Sequence, residues 1–267
     1  MHSLPLASLV EQNISPKFIW YSDKPDGPCA LLSLQDFESR YKTASLNLAF
    51  KFTENIFYNT PLYHKVARTD YALRIAENFN ANVKDLYGIS LKAIVFNEFK
   101  DWLKTGYAEI MDKLVFTKIA DDIGWGIFSR ENIPKNTLVA FYSGILKSAK
   151  ICNDYEHLIY WDPIDSQLRF SIDAYSTGGT ARFFNHLPMR IDPQQAQMLF
   201  RTSLNKRFAA GNLLKYCLIY NGFPIIVFVT AVDINPGEQL GYDYGDSYRW
   251  NGKPFYFDTI GRIIQTD

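Results

Sequence analysis

The pair Asn221-Gly222, set between Leu213–Tyr220 and Pro224–Val232, constrains the fold of this chain more than any other feature of its sequence. Two apolar, β-prone runs separated by Asn-Gly give the strongest short-range hairpin signal, because the type I′ turn needs positive φ at both central residues. Other short runs past Lys113 read the same way. Leu114–Ile119, Gly126–Ser129 and Leu138–Tyr142 are expected strands, and Leu158–Trp161 and Leu168–Ile172 flank Pro163-Ile164-Asp165-Ser166 as a second hairpin. Two segments echo each other, Glu131–Leu138 and Val232–Leu240, each a polar turn with a proline that feeds a strand. One echo does not make a repeat architecture.

Before Lys113 the pattern is helical. Val66, Ala72, Leu73, Ile75, Ala76 and Phe79 gather on one face of His64–Phe79, and Leu91, Ile94, Val95, Phe99, Leu103, Tyr107 and Ile110 do so across Leu91–Ile110. Residues 1–60 mix short apolar runs with Pro and Asn and receive no assignment. The expected fold class is therefore α+β: a β-rich domain of several small sheets, preceded by a mainly helical N-terminal region. The expected divisions are 1–112, 113–250 with a distinct segment of helical pattern at about 189–210, and an aromatic C-terminal segment at 251–267.

The balance of 28 basic and 28 acidic residues leaves no net field to favour nucleic acid or an anionic membrane. Neither is an expected partner. No signal peptide is evident at Met1–Ile14, and the run Phe223–Val232 is too short to span a bilayer, so a soluble intracellular protein is expected. Cys29, Cys152 and Cys217 lie far apart with no CxxC spacing, which argues against a zinc cluster and gives no metal ligands. Aromatics reach 16% of the chain, and for any single ring the core is the simpler destination than a cation-binding wall.

Four segments carry the candidate chemistry: Gly124-Trp125-Gly126, Tyr142-Ser143-Gly144, Arg182-Phe183-Phe184-Asn185-His186, and Gly237-Glu238-Gln239-Leu240-Gly241-Tyr242-Asp243-Tyr244-Gly245. Each alone is a turn or an alternating strand. Together and in this order, over roughly residues 113–250, they resemble the SET-domain family, whose signature runs GxG, YxG, RFxNHSCxPN and GEELxxDYG. The resemblance implies a protein-lysine methyltransferase that uses S-adenosylmethionine (SAM), with a knot-like crossing near the last motif. It implies Tyr244 beside the transferring methyl, Tyr142 lining the site, and the backbone of Gly124, Trp125 and Gly126 cradling the cofactor. Asn185 and His186 match the pair at the cofactor's methionine end and adenine, and Arg182 either holds that loop or touches the cofactor. Trp250 is expected with the cofactor and the lid, alongside Phe255, Tyr256 and Phe257.

Tyr242, two residues before Tyr244, falls on the same face of an extended strand. A hydroxyl at that position tends in the family to limit the product to monomethyl-lysine. The implied partner is a lysine-containing protein or peptide, a histone tail being one candidate. A nuclear location follows if the substrate is a histone, a cytoplasmic one otherwise.

The third motif departs from the family. Leu187-Pro188 stands where Ser-Cys is expected, and its last pair appears as Gly211-Asn212 only after the insertion, whose Asp192-Pro193 opens a helical pattern. The alternatives to a histone enzyme are a methyltransferase for another protein and a catalytically silent SET module that binds a partner.

Overall fold

In a computed structural model of the chain, the described residues are 7–10, 14–24, 27–44, 50–58, 60–67, 72–74, 76–77, 96–120, 124–148, 155–161, 169–187, 211–244, 256–257 and 263–264. The inserted segment 189–210, Trp250 and Phe255 lie outside them, as do most of the expected lid residues.

Residues 1–60, which receive no assignment from the sequence, contribute five strands among the described residues: β1 (Ala7–Ser8), β2 (Phe18–Ser22), β3 (Ala30–Ser33), β4 (Lys51–Phe52) and β5 (Ile56–Tyr58). Most are too short to show a two-residue period, and distant partners complete them. β2 runs parallel to β6 (Leu114–Ala120), β4 is parallel to β12 (Thr177–Gly178), and β5 is parallel to β9 (Gly144–Lys147).

Between β3 and β4, helix Leu34–Ala44 starts where Ser33 caps it. The Asp36 backbone N–H donates to Ser33 Oγ at 3.1 Å, an N-cap bond, and Ser33 Oγ donates in turn to the Asp36 carboxylate at 2.6 Å. Phe37 and Tyr41, four residues apart, turn the helix's buried face onto an aromatic core. Phe37 meets Phe116, Trp125, Phe183 and Phe52 with centroids 5.1 to 6.2 Å apart, mostly edge to face. Much of the aromatic excess is thus spent on the core.

The stretch expected to be helical over Leu91–Ile110 is described as helix Phe96–Asp101, a wider π-turn at Trp102–Gly106, and helix Tyr107–Asp112. Phe99, Leu103, Tyr107 and Ile110 are buried, as the periodicity predicts. A Cβ on Gly106 would stand 2.7 Å from the Trp102 ring, so glycine is what lets the indole fold over the turn. Leu91, Ile94 and Val95 lie outside the described residues.

Beyond Lys113 the β-rich expectation holds. β14 (Leu213–Tyr220) and β15 (Phe223–Thr230) form the expected hairpin, with Tyr220 paired to Phe223 across a two-residue loop. Asn221 and Gly222 adopt φ of 50° and 75°, as a type I′ turn requires. β8 (Leu138–Phe141) adds a third strand to this sheet. β10 (Glu156–Trp161) pairs with β11 (Arg169–Asp173) as the second expected hairpin. A five-stranded sheet runs β1-β5-β9-β11-β10. A six-stranded one runs β13-β16-β7-β6-β2-β3, with β7 at Gly124–Ser129, β13 at Asn185–His186 and β16 at Gln239–Tyr242.

The echoing segments touch. Ile133 and Ile234 exchange backbone hydrogen bonds at 2.9 Å in both directions, and Asn136 and Gly237, each three residues later, both have positive φ (63° and 84°). Among the described residues, no helix is long and apolar enough to cross a membrane.

Candidate functional site

β16 brings the third and fourth motifs together. β13 runs parallel to it, with Asn185 beside Gly241 and His186 beside Tyr242, while β7 pairs antiparallel on its other edge. Asn212 grips the same strand. Its side-chain amide donates to the Gln239 carbonyl at 2.8 Å and accepts from the Gly241 N–H at 3.1 Å. The final asparagine of the split third motif thus reaches its place despite the insertion. A Cβ at Gly241 would come within 2.6 Å of the Asn185 carbonyl, so this close pairing of strands requires glycine.

Gly124-Trp125-Gly126 opens β7. The Trp125 indole packs inward against Tyr21, Phe37 and Tyr41, leaving only its backbone to face the motif residues. The Asn185 amide donates to the Trp125 carbonyl at 3.2 Å. Gly124 has φ of +86° with open space where its Cβ would be. A Cβ at Gly126 would lie 2.6 Å from Ile119, 2.8 Å from the Asn185 amide and 2.9 Å from the Gln239 amide, so the backbone here stays bare.

Gln239 carries no expected role from the sequence, although it sits inside the fourth motif. Both atoms of its side-chain amide are buried and meet no hydrogen-bond partner among the described residues. Buried amides of this kind normally have partners, so a donor and an acceptor stand ready beside Gly126 for a polar molecule. That arrangement fits a cofactor with an amino-acid end.

Arg182 shows the loop-holding contacts of its two expected roles. Its Nε donates to the Ala174 carbonyl at 2.6 Å, one terminal nitrogen donates to the Tyr175 carbonyl at 3.2 Å, and the other to the Tyr41 hydroxyl. The guanidinium lies 3.9 Å from the Tyr155 ring centre and 4.5 Å from that of Phe50. These contacts commit the buried cation to structure.

The tyrosines form a second group. Tyr244 donates its hydroxyl proton to the Phe184 carbonyl. Its backbone N–H donates to His186 Nδ1 at 3.0 Å. Nδ1 therefore carries no proton of its own, and its 3.7 Å approach to Asp243 is no ion pair. The Tyr242 ring lies 4.6 Å from that of Tyr244 and 4.8 Å from Phe228, and Phe228 lies 6.5 Å from Tyr142. Tyr142 donates to the Tyr155 carbonyl at 2.8 Å, with its ring 5.0 Å from that of His157. Tyr142, Tyr242 and Tyr244 thus line one continuous aromatic wall, to which β15 adds Phe228, a residue without a motif to mark it.

Glu54, from the unassigned N-terminal stretch, lies beneath both groups and is 1% exposed. It accepts from the Thr180 N–H at 2.6 Å and the Tyr107 hydroxyl at 3.4 Å, and it lies 3.3 Å from the Ser143 hydroxyl oxygen. Neighbouring Thr53 accepts from the Ser143 hydroxyl at 2.9 Å, and the Asn55 carbonyl accepts from the Gly144 N–H at 2.9 Å. Residues 53–55 thereby join the second motif to the turn Thr180–Phe183 that leads into the third. Burial pushes the Glu54 carboxyl up to about 7, against the hydrogen bonds that favour its ionised form.

Residues 124–245 match the family model of the SET domain. The chain is 32% identical over 141 residues to human histone-lysine N-methyltransferase EHMT1, covering 49% of this chain and 9% of that protein. It is 29% identical over 126 residues to the Chaetomium globosum histone-lysine N-methyltransferase described as H3 lysine-4 specific, covering 45% of this chain and 10% of that one. The chain therefore spans about a tenth of the length of these curated relatives. In structure it is similar to the ATXR5 SET domain solved with a di-methylated histone H3, with a TM-score of 0.54 and 16% identity, covering 83% of this chain and 92% of that one. Motifs, strand pairing and the match to the SET-domain model coincide on the same residues, 124–245.

Proposed function

We propose that the protein transfers a methyl group from SAM to the side-chain amine of a protein lysine, with monomethyl-lysine as the main product and a histone among its substrates. The observation that carries this reading is the aromatic wall Tyr142–Phe228–Tyr242–Tyr244 standing next to the bare backbone of Gly124–Gly126. One half suits a cation and its apolar stem, and the other suits a ligand that needs close backbone approach and polar partners. The relatives named above, two of them called histone-lysine methyltransferases, support the same activity.

SAM supplies an electrophilic methyl on a sulfonium. The Gly124–Gly126 backbone, Asn185, His186 and the Gln239 amide would hold it. The protein's remaining task is to orient an amine and keep it unprotonated. A free lysine titrates near about 10.4, and an apolar wall of ring faces disfavours its charged form. The Tyr244 hydroxyl, fixed by the Phe184 carbonyl, presents its oxygen lone pair at the end of the wall. Tyr242 adds a second hydroxyl beside it, which takes up the space that a second methyl group would need. A histone substrate would put the protein in the nucleus.

Incubation with labelled SAM and histone or other lysine peptides, beside a Tyr244→Phe variant, tests this reading. Label on a peptide lysine with the parent protein and none with the variant is expected. Neither transfer nor SAM binding would make this a silent module.

A further inference from the structure

The hairpin that builds the wall also brings a lysine of the chain to it. β14 reads Leu-Leu-Lys-Tyr-Cys-Leu-Ile-Tyr, and Lys215 is its one charged residue. Lys215 pairs directly with Phe228 on β15, so both side chains rise from the same face of the hairpin. Phe228 is part of the wall, and Lys215 follows it there. Its Nζ stands over the Tyr242 ring, 4.9 Å from the centroid. The Tyr242 ring in turn lies 4.6 Å from that of Tyr244.

We infer that Lys215 is a self-methylation site, the chain's own lysine resting on the tyrosine face that an outside lysine would use. This rests on the methyltransferase reading above. A lysine head on a ring within the wall meets the two needs of an acceptor. It is held by cation–π attraction at the place where an amine must be presented, and its flexible four-carbon stem lets it advance toward Tyr244. Desolvation lowers the Lys215 pKa, which favours the neutral amine, while the Asp243 carboxylate opposes this. His186, on the far side of Asp243, faces it through a nitrogen that carries no proton, so it adds no positive charge there. His157, a further titratable group among the described residues, stacks on Tyr242 at 6.4 Å.

The step balances without a further reactant. The Nζ lone pair forms a bond to the methyl carbon as the carbon–sulfur bond breaks, and the sulfur keeps that bond's electrons as a neutral thioether. The resulting methylammonium keeps its charge or releases a proton to water. The same placement makes the resident lysine a competitor of any incoming one.

The test uses the full chain. Incubated with SAM and no substrate, the protein should gain one methyl on the peptide that carries Lys215, at a rate per molecule independent of protein concentration. Tyr244→Phe should gain none. Without SAM, Lys215→Met should bind a lysine peptide several-fold more tightly than the parent, and Lys215→Arg, which keeps the cation, should not. A protein that methylates an added peptide while its own Lys215 stays unmodified, and whose Lys215→Met variant binds peptide no better, overturns the inference and leaves the proposed function standing. Failure to bind SAM or to methylate any lysine overturns both.

Discussion

Exchanging Glu54 for glutamine isolates the effect of one buried charge on this fold. Glutamine is nearly isosteric, and its two ends suit what surrounds the carboxylate. The amide oxygen can keep the Thr180 N–H at 2.6 Å and the Tyr107 hydroxyl, while the amide nitrogen donates to Ser143 Oγ, whose own proton is already given to Thr53. The carboxyl is pushed from 4.5 to about 7 by burial, so the folded state binds its proton more tightly than the unfolded chain does. The stability that this proton confers is fully present below 4.5 and is lost as pH rises through about 7. Converted at 1.36 kcal/mol per pH unit, a rise of that size amounts to about 3 kcal/mol. Urea denaturation of Glu54→Gln and the parent, run from about pH 5 to about pH 8.5, should give similar stabilities at the acid end. The variant should become the more stable by up to about 3 kcal/mol at the alkaline end. Glu54→Ala should be less stable than Glu54→Gln by about 2–4 kcal/mol at any pH, because it leaves the Thr180 N–H unpaired and opens a cavity. A difference between Glu54→Gln and parent that stays constant across the range would refute the reasoning.

Four further outcomes follow. Tyr242→Phe should shift the product toward dimethyl-lysine by mass spectrometry, with stability changed by less than about 1 kcal/mol because the contacts with Phe228 and Tyr244 survive. Tyr244→Phe should lower kcat by about 10²-fold or more while SAM affinity by calorimetry is little changed. Gly126→Ala should weaken SAM binding at least about tenfold, since its Cβ meets Ile119, Asn185 and Gln239 within 2.9 Å. Gln239→Leu should raise the thermal stability of the cofactor-free protein, by removing two unpartnered polar atoms, and lower its SAM affinity.

The parts of the fold that local chemistry dictates were legible in the sequence. Asn221-Gly222 needs only its own φ preference to declare a hairpin, and Phe99, Leu103, Tyr107 and Ile110 declare a helix face by spacing alone. The N-terminal strands were not legible, because a two-residue strand such as Lys51–Phe52 exists only through its pairing with Thr177–Gly178. The site divides in the same way. Tyr142, Tyr242, Tyr244, Asn185 and the glycines carried motif signals. Glu54 lies 126 residues from Thr180, and no periodicity or turn chemistry connects them. Phe228 and Lys215 looked like ordinary members of a hairpin, and only the register of β14 against β15 and the position of β16 bring them to the wall. Gln239 could have been read from its place in the fourth motif, but its unsatisfied amide is a property of the packed structure.

The reciprocal bridge between Ile133 and Ile234 gives the two tyrosine-bearing segments a common origin. Tyr142 lies downstream of one isoleucine, and Tyr242 and Tyr244 lie downstream of the other, so the gap between them is set as by the arms of a caliper hinged at the bridge. The twin turns with positive φ at Asn136 and Gly237 aim each arm, and the strands fix its length. Side chains alternate along a strand, so lengthening either arm by one residue would do more than displace a ring by about 3.3 Å: it would turn that ring to the opposite face. The intervals from Ile133 to Tyr142 and from Ile234 to Tyr244 therefore tolerate no single-residue change in length.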